Sequence, residues 1–210
     1  MTVISRLFDN YSDAARAVSE LEQAGIRADD ISIVANNSEG WYRDNGAVRL
    51  DRDGNRIVDR DHDGVDDRTE GAAKGAGIGA TVGGIAGLLA GLGLLAIPGI
   101  GPVVAAGWLA STAALAVAGG AAGGLIGALT QSGVSEDEAH VYAEGVRRGG
   151  TLVTARVPDS DRSRYEAILD RSAVDIQQRA AFYQKSGWSR FDAKAPAYTP
   201  DEIRRERELY

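Results

Sequence analysis

Three patterns of apolar and polar positions divide the chain. Residues 2–8 form a short apolar-rich run, and Ala14, Ala15, Val18 and Leu21 then recur at helical spacing until Gly25, which predicts a strand followed by a helix. Ile31, Ile33 and Ala35 alternate with Ser32 and Val34, so a second strand is predicted. Towards the other end, Ser135, Glu136, Asp137 and Glu138 read as a capping box. Ala139, Tyr142, Ala143 and Val146 line one face of the helix it opens, and Gly149 and Gly150 close that helix. A strand over 151–157, a helix over 161–169 with Tyr165, Ile168 and Leu169 inward, and a last strand over 173–177 follow. These two halves predict an α+β domain from residues 1–36 and 134–180. The order β-α-β … α-β-α-β fits a ferredoxin-like split sandwich, with four antiparallel strands and helices on one face.

Between the halves the pattern changes abruptly. No charged residue occurs from Gly75 to Ser135, a run of 61. Within 71–133 two apolar segments, 71–97 and 103–130, are joined by Ile97, Pro98, Gly99, Ile100, Gly101 and Pro102, which favour a tight reversal. Gly75, Gly79, Gly83, Gly87 and Gly91 recur every fourth residue. Ala106, Ala110, Ala114, Ala118 and Ala122 repeat that stripe on the second segment, with Gly119, Gly123 and Gly127 beside it. The spacing predicts a long glycine-zipper α-helical hairpin whose small faces allow close packing and self-association. Five interior glycines cost such a helix about 4–5 kcal/mol in propensity, so lipid or a tight helical neighbour must compensate. Each segment exceeds the roughly 20 residues that cross a bilayer. Membrane insertion is therefore one expectation, and a packed core in a soluble oligomer is the other. The glycines from Gly75 to Gly79 follow no predicted strand and precede no Lys-Ser or Lys-Thr pair, so they make a poor phosphate loop.

Residues 37–70 form an acidic loop. Its end, Asp59 to Glu70, carries the spacing of a twelve-residue calcium loop. Asp59, Asp61 and Asp63 offer side-chain oxygens, Val65 its carbonyl, Asp67 a water-mediated contact, Glu70 a bidentate carboxylate, and Gly64 the turn. Asp66 stands where an aliphatic residue normally packs, and no clear helix enters at Asp59. A single-helix calcium loop is thus a better comparison than a full EF-hand, with a solvated acidic linker as the plain alternative.

Composition limits the chemistry. The net charge is −7, and residues 1–70 hold 16 acids against 9 bases, so all of it lies in the first third. That balance disfavours nucleic acid as a partner. There is no cysteine, and the two histidines, His62 and His140, have no nucleophile beside them, so no catalytic residue and no small-molecule substrate are expected. Arg147 and Arg148, like Arg204 and Arg205, read as solvated helix ends. Trp108 suits either an interfacial anchor or a core. No signal peptide opens the chain, which suits a cytoplasmic or membrane-associated protein. The tail, 181–210, is polar and ends in a capping box at Thr199 with Pro200 at the first helical position.

Phe8 and Asp9, followed by Ala14, Ala15, Val18, Leu21, Ala24, Gly25 and Ile26, resemble the opening of the bacterial heat-induced general stress proteins of the YflT type. The turn from Ala96 to Pro102 is similar too, as is the run Ala139, Tyr142, Ala143, Glu144, then Gly149 to Val153. The resemblance spans roughly residues 1–36 and 71–178. It implies a non-enzymatic, stress-associated bacterial protein and supplies no catalytic residue. The acidic loop and the tail with Trp188 lie outside it. The expectation is a protein that assembles with itself through the hairpin, at or in a bilayer. The alternative is a soluble calcium-responsive module or oligomer.

Overall fold

A computed structural model describes residues 1–42, 92–110 and 124–209, together with the backbone of 48–50 and 56–58. The fold is α+β, and its centre is a five-stranded antiparallel sheet. The strands are β1 (Thr2–Phe8), β2 (Ile31–Asn36), β5 (Gly93–Ile97), β6 (Gly101–Gly107) and β7 (Thr151–Val157), while β3 (Val48–Leu50) and β4 (Arg56–Val58) form a separate two-stranded ladder. The sheet order is β1-β7-β2-β6-β5. The last strand in sequence therefore lies between the first two, with Thr2 opposite Val157 and Ile31 opposite Ala155.

Helices cover both faces of this sheet, where the sequence predicts one. On one face α1 (Tyr11–Gln23) and α4 (Arg162–Leu169) press Ala14, Val18, Leu21, Tyr165 and Leu169 onto Ile4, Phe8, Ile33 and Val153. On the other, α2 (Gly124–Gln131) and α3 (Glu136–Arg147) press Leu125, Leu129, Tyr142 and Val146 onto Leu7, Val34, Val103 and Leu152. The reason is legible in β2, which is buried at every position. Its polar residues satisfy themselves inside: Ser32 Oγ donates to the Ala106 carbonyl at 2.8 Å, and Asn36 Nδ2 to that of Val146 at 3.0 Å.

The helical hairpin is corrected in its middle. Residues 93–97 and 101–107 are paired strands, and the turn between them belongs to the body, with Ile100 fully buried. Backbone hydrogen bonding is met here by a ladder with β2 rather than by helical turns. β6, buried from Val103 to Ala106, reads as continuous apolar sequence and so lacks the alternation of a half-exposed strand, while β5 is apolar throughout although partly exposed. Residues 71–91 and 111–123, which hold most of the stripe, lie outside the described residues.

The predicted strand over 173–177 is also corrected. A single ladder-like bond remains, from Val174 N to the Leu7 carbonyl at 2.8 Å. Asp175 then caps α5 (Ile176–Lys185), its side chain accepting from the backbone of Gln177 and Gln178. The tail ends in α6 (Pro200–Arg207), opened by the predicted capping box between Thr199 and Glu202. Ser135 caps α3 by accepting from Glu138 N, also as predicted.

Candidate functional site

The predicted site residues fall in three places. The calcium positions Asp59, Asp61, Asp63, Val65, Asp67 and Glu70 lie outside the described residues. So do Gly75, Gly79, Gly83, Gly87, Gly91, Ala114, Ala118, Gly119 and Gly123 of the small-residue stripe. Of the remainder, Ala106 is buried in β6 opposite Ile33, so it serves the sheet and not a helical stripe. Ala110 follows β6 and Gly127 lies on α2, both half-buried. Trp108 is half-buried beneath Arg156, whose guanidinium carbon is 4.1 Å from the ring centroid.

The structure instead draws attention to the neck from which the chain leaves the body and to which it returns. Beyond β2, Asn37 accepts from Tyr42 N at 2.9 Å and donates to the Tyr42 carbonyl at 3.0 Å, which folds 37–42 back on itself. Trp41 Nε1 donates to the Asn36 carbonyl at 2.7 Å, and the Trp41 ring stacks at 4.6 Å from Tyr11. Tyr42 then donates its hydroxyl to the Leu92 carbonyl at 2.9 Å, so residue 42 and residue 92 meet. Two adjacent asparagines after a strand are a turn signal, but the hydroxyl bridge to Leu92 carries no local signature.

The tail closes over the same end of the body. Phe191, Asp192 and Ala193 cross the β5–β6 turn so tightly that a Cβ on Gly99, whose φ is +76°, would lie 2.7 Å from Ala193 Cα. Arg207 pairs with Glu39 beside the neck at 2.5 Å. Beneath, Glu144 is 1% exposed and binds Arg148 Nε at 2.7 Å, while Glu206 of α6 binds the other side of that guanidinium at 2.5 Å. Arg148 also lies over the rings of Tyr183 and Tyr198, at 4.2 Å and 5.6 Å. It is 7% exposed, so the solvated helix end expected there is a buried one. Burial opposes its charge, but the carboxylates outweigh that and hold its pKa above the ordinary value. On α3, burial pushes the Tyr142 hydroxyl up to about 12, and it donates to the Ser5 carbonyl at 2.8 Å.

Among the described residues no group of three or more His, Asp or Glu side chains is placed to hold a metal ion, and no helix is long and apolar enough to cross a membrane. No family model, no curated protein and no solved structure matches the chain.

Proposed function

We propose a non-enzymatic, stress-associated bacterial protein whose folded body holds two Gly/Ala-rich segments side by side for self-association. One observation carries the reading. The β5–β6 register sets Gly93 opposite Ala105, so Leu92 and Ala106 are neighbours across the ladder. The stretch 75–91 joins the body at Leu92, and 111–123 joins it at Ala110, four residues past Ala106. Small-residue stripes such as Gly75 to Gly91 gain from close approach, because their backbones meet without intervening side chains. The relation to a ferredoxin-like sandwich rests on the halves β1-α1-β2 and α3-β7-α4.

The same geometry favours contact with the surface of a bilayer over a spanning hairpin. A spanning hairpin would need its turn on the far side, yet Ile100 is fully buried in the body. Residues 42 and 92 also meet, so one crossing by 75–91 would oblige the charged stretch before it to cross as well.

Size-exclusion chromatography with light scattering tests the assembly. Gly83→Leu is expected to reduce the oligomer to smaller species, although Leu is the better helix former by roughly 0.5–1 kcal/mol. Leu88→Ile, which keeps volume, is expected to leave it intact. An unchanged oligomer in Gly83→Leu would discard the zipper. Calcium is the second element of the proposal, supported by the ligand spacing from Asp59 to Glu70. Isothermal titration is expected to give a one-site isotherm that Asp59→Ala and Glu70→Gln each abolish. Heat equal to a magnesium control would reduce the run to a charged linker.

A further inference from the structure

One contact between tail and body has no part in the assembly reading. Arg190 donates Nε–H to His140 Nε2 at 2.7 Å, and its Nη2 donates to Glu136 Oε1. The His140 side chain is only 10% exposed. An imidazole accepts at Nε2 only while neutral, because protonation occupies that lone pair and leaves two cations facing each other. The proton of the neutral ring then sits on Nδ1, which is buried without a hydrogen-bond partner among the described residues.

The surroundings of His140 resist its charging. Burial is the largest cause, the charge of Arg190 the next, and together they outweigh Glu136 and Asp137 on its own helix, so the pKa is lowered from 6.5. The same cleft is lined by Glu138 of α3, by Gln177 and Gln184 of α5, and by Trp188 and Ser189 of the tail. Among the described residues, Arg190 is therefore the one cationic side chain lining that cleft beside the ring. Glu136 stands 3.9 Å from Nε2, ready to pair with the imidazolium once Arg190 has left.

We propose that His140 and Arg190 form an acid-sensitive latch: a proton taken up at Nε2 removes the acceptor, expels the guanidinium and frees the tail around Arg190 from α3. The sign follows from the neutral ring being the latched form. Docking is complete above the ordinary histidine pKa of about 6.5 and is lost as pH falls through the lower value of the latched state. Phe191, Asp192 and Ala193 follow Arg190 directly, so acid also uncovers the β5–β6 turn they cross.

Hydrogen exchange of the full-length protein, read by mass spectrometry from about pH 7.5 to about pH 4.5, tests the latch across the range where histidine titrates. After correction for intrinsic rates, protection in peptides covering 188–197 is expected to fall with acid. The total fall should approach tenfold for each unit by which the latched His140 pKa lies below its free value. His140→Gln keeps an acceptor for Arg190 but cannot titrate, and should hold protection level. Arg190→Leu should lower protection throughout and raise the midpoint of the His140 ring signal in NMR, recorded with His62→Gln as background. A wild-type profile as level as that of His140→Gln, or a midpoint unmoved by Arg190→Leu, overturns the latch. Neither result bears on the assembly test at Gly83.

Discussion

Replacing Arg148 with methionine is expected to lower the stability of the protein by about 3 kcal/mol, the lower end of the cost of breaking a buried ion pair, because Glu144 keeps the cation of Arg147. Methionine retains most of the apolar stem, so the loss reports charge rather than a cavity. Glu144 is 1% exposed and cannot turn to water for compensation, whereas Glu206, at the edge of the network, can relax in part. Urea denaturation followed by tryptophan fluorescence measures the change. The triple replacement Arg148→Met, Glu144→Gln, Glu206→Gln should recover part of the loss, because both carboxylates are then neutral and Arg147, which loses Glu144, keeps the Pro196 carbonyl as an acceptor. A loss below about 1 kcal/mol for the single variant would place the network in the class of solvated surface pairs.

Gly107→Val is expected to be comparably damaging. Gly107 ends β6 with φ at +83°, and a Cβ there would overlap the Ile31 carbonyl and lie 2.8 Å from Ser32 Cα. A left-handed conformation costs a residue with a Cβ about 1–2 kcal/mol, and overpacking against backbone adds about 1–3 kcal/mol, for a loss of roughly 2–5 kcal/mol. Gly133→Ala separates the two contributions: φ is +99° there, but a Cβ meets nothing within 4 Å. That variant should show the conformational cost alone, about 1–2 kcal/mol by the same denaturation curve. Equal losses at both sites would mean that β2 yields at Ile31 and that this end of the β2–β6 ladder is softer than its packing implies.

The elements legible in the sequence share a local cause. The period of Ala14, Val18 and Leu21, the caps at Ser135 and Thr199, and the run from Thr151 to Val157 each act within a few residues, and each appears where expected. What escaped depends on distant partners. Ser32 and Asn36 look like the wet side of a strand, and only the carbonyls of Ala106 and Val146 make them core residues. A sandwich with helices on one face leaves that side of the sheet uncovered, so the second helical layer is not predicted. The four-residue glycine period ends at Gly91, two residues before β5 starts. Extending that period through Ile97 turned a pair of strands into helix. Asp175 falls in the middle of the predicted strand over 173–177, although Asp before a helical run is a capping signal in its own right. Of the candidate site, the asparagine turn was within reach, as was Glu144 one helical turn before Arg148, whereas Glu206 of α6 lay hidden by sequence distance.

The place of β7 between β1 and β2 has a consequence during synthesis. Neither of the first two strands can pair with the other: β2 meets β6 roughly 65 residues later, but β1 waits for β7, made roughly 140 residues after it, about 7–28 s later at typical rates of elongation. During that interval the uncharged stretch from Gly75 to Ser135 leaves the ribosome with no completed sheet to pack on. The nascent chain is therefore most open to misassociation just before the strand that closes the sheet emerges, and a chaperone that shields apolar surface would act on it then.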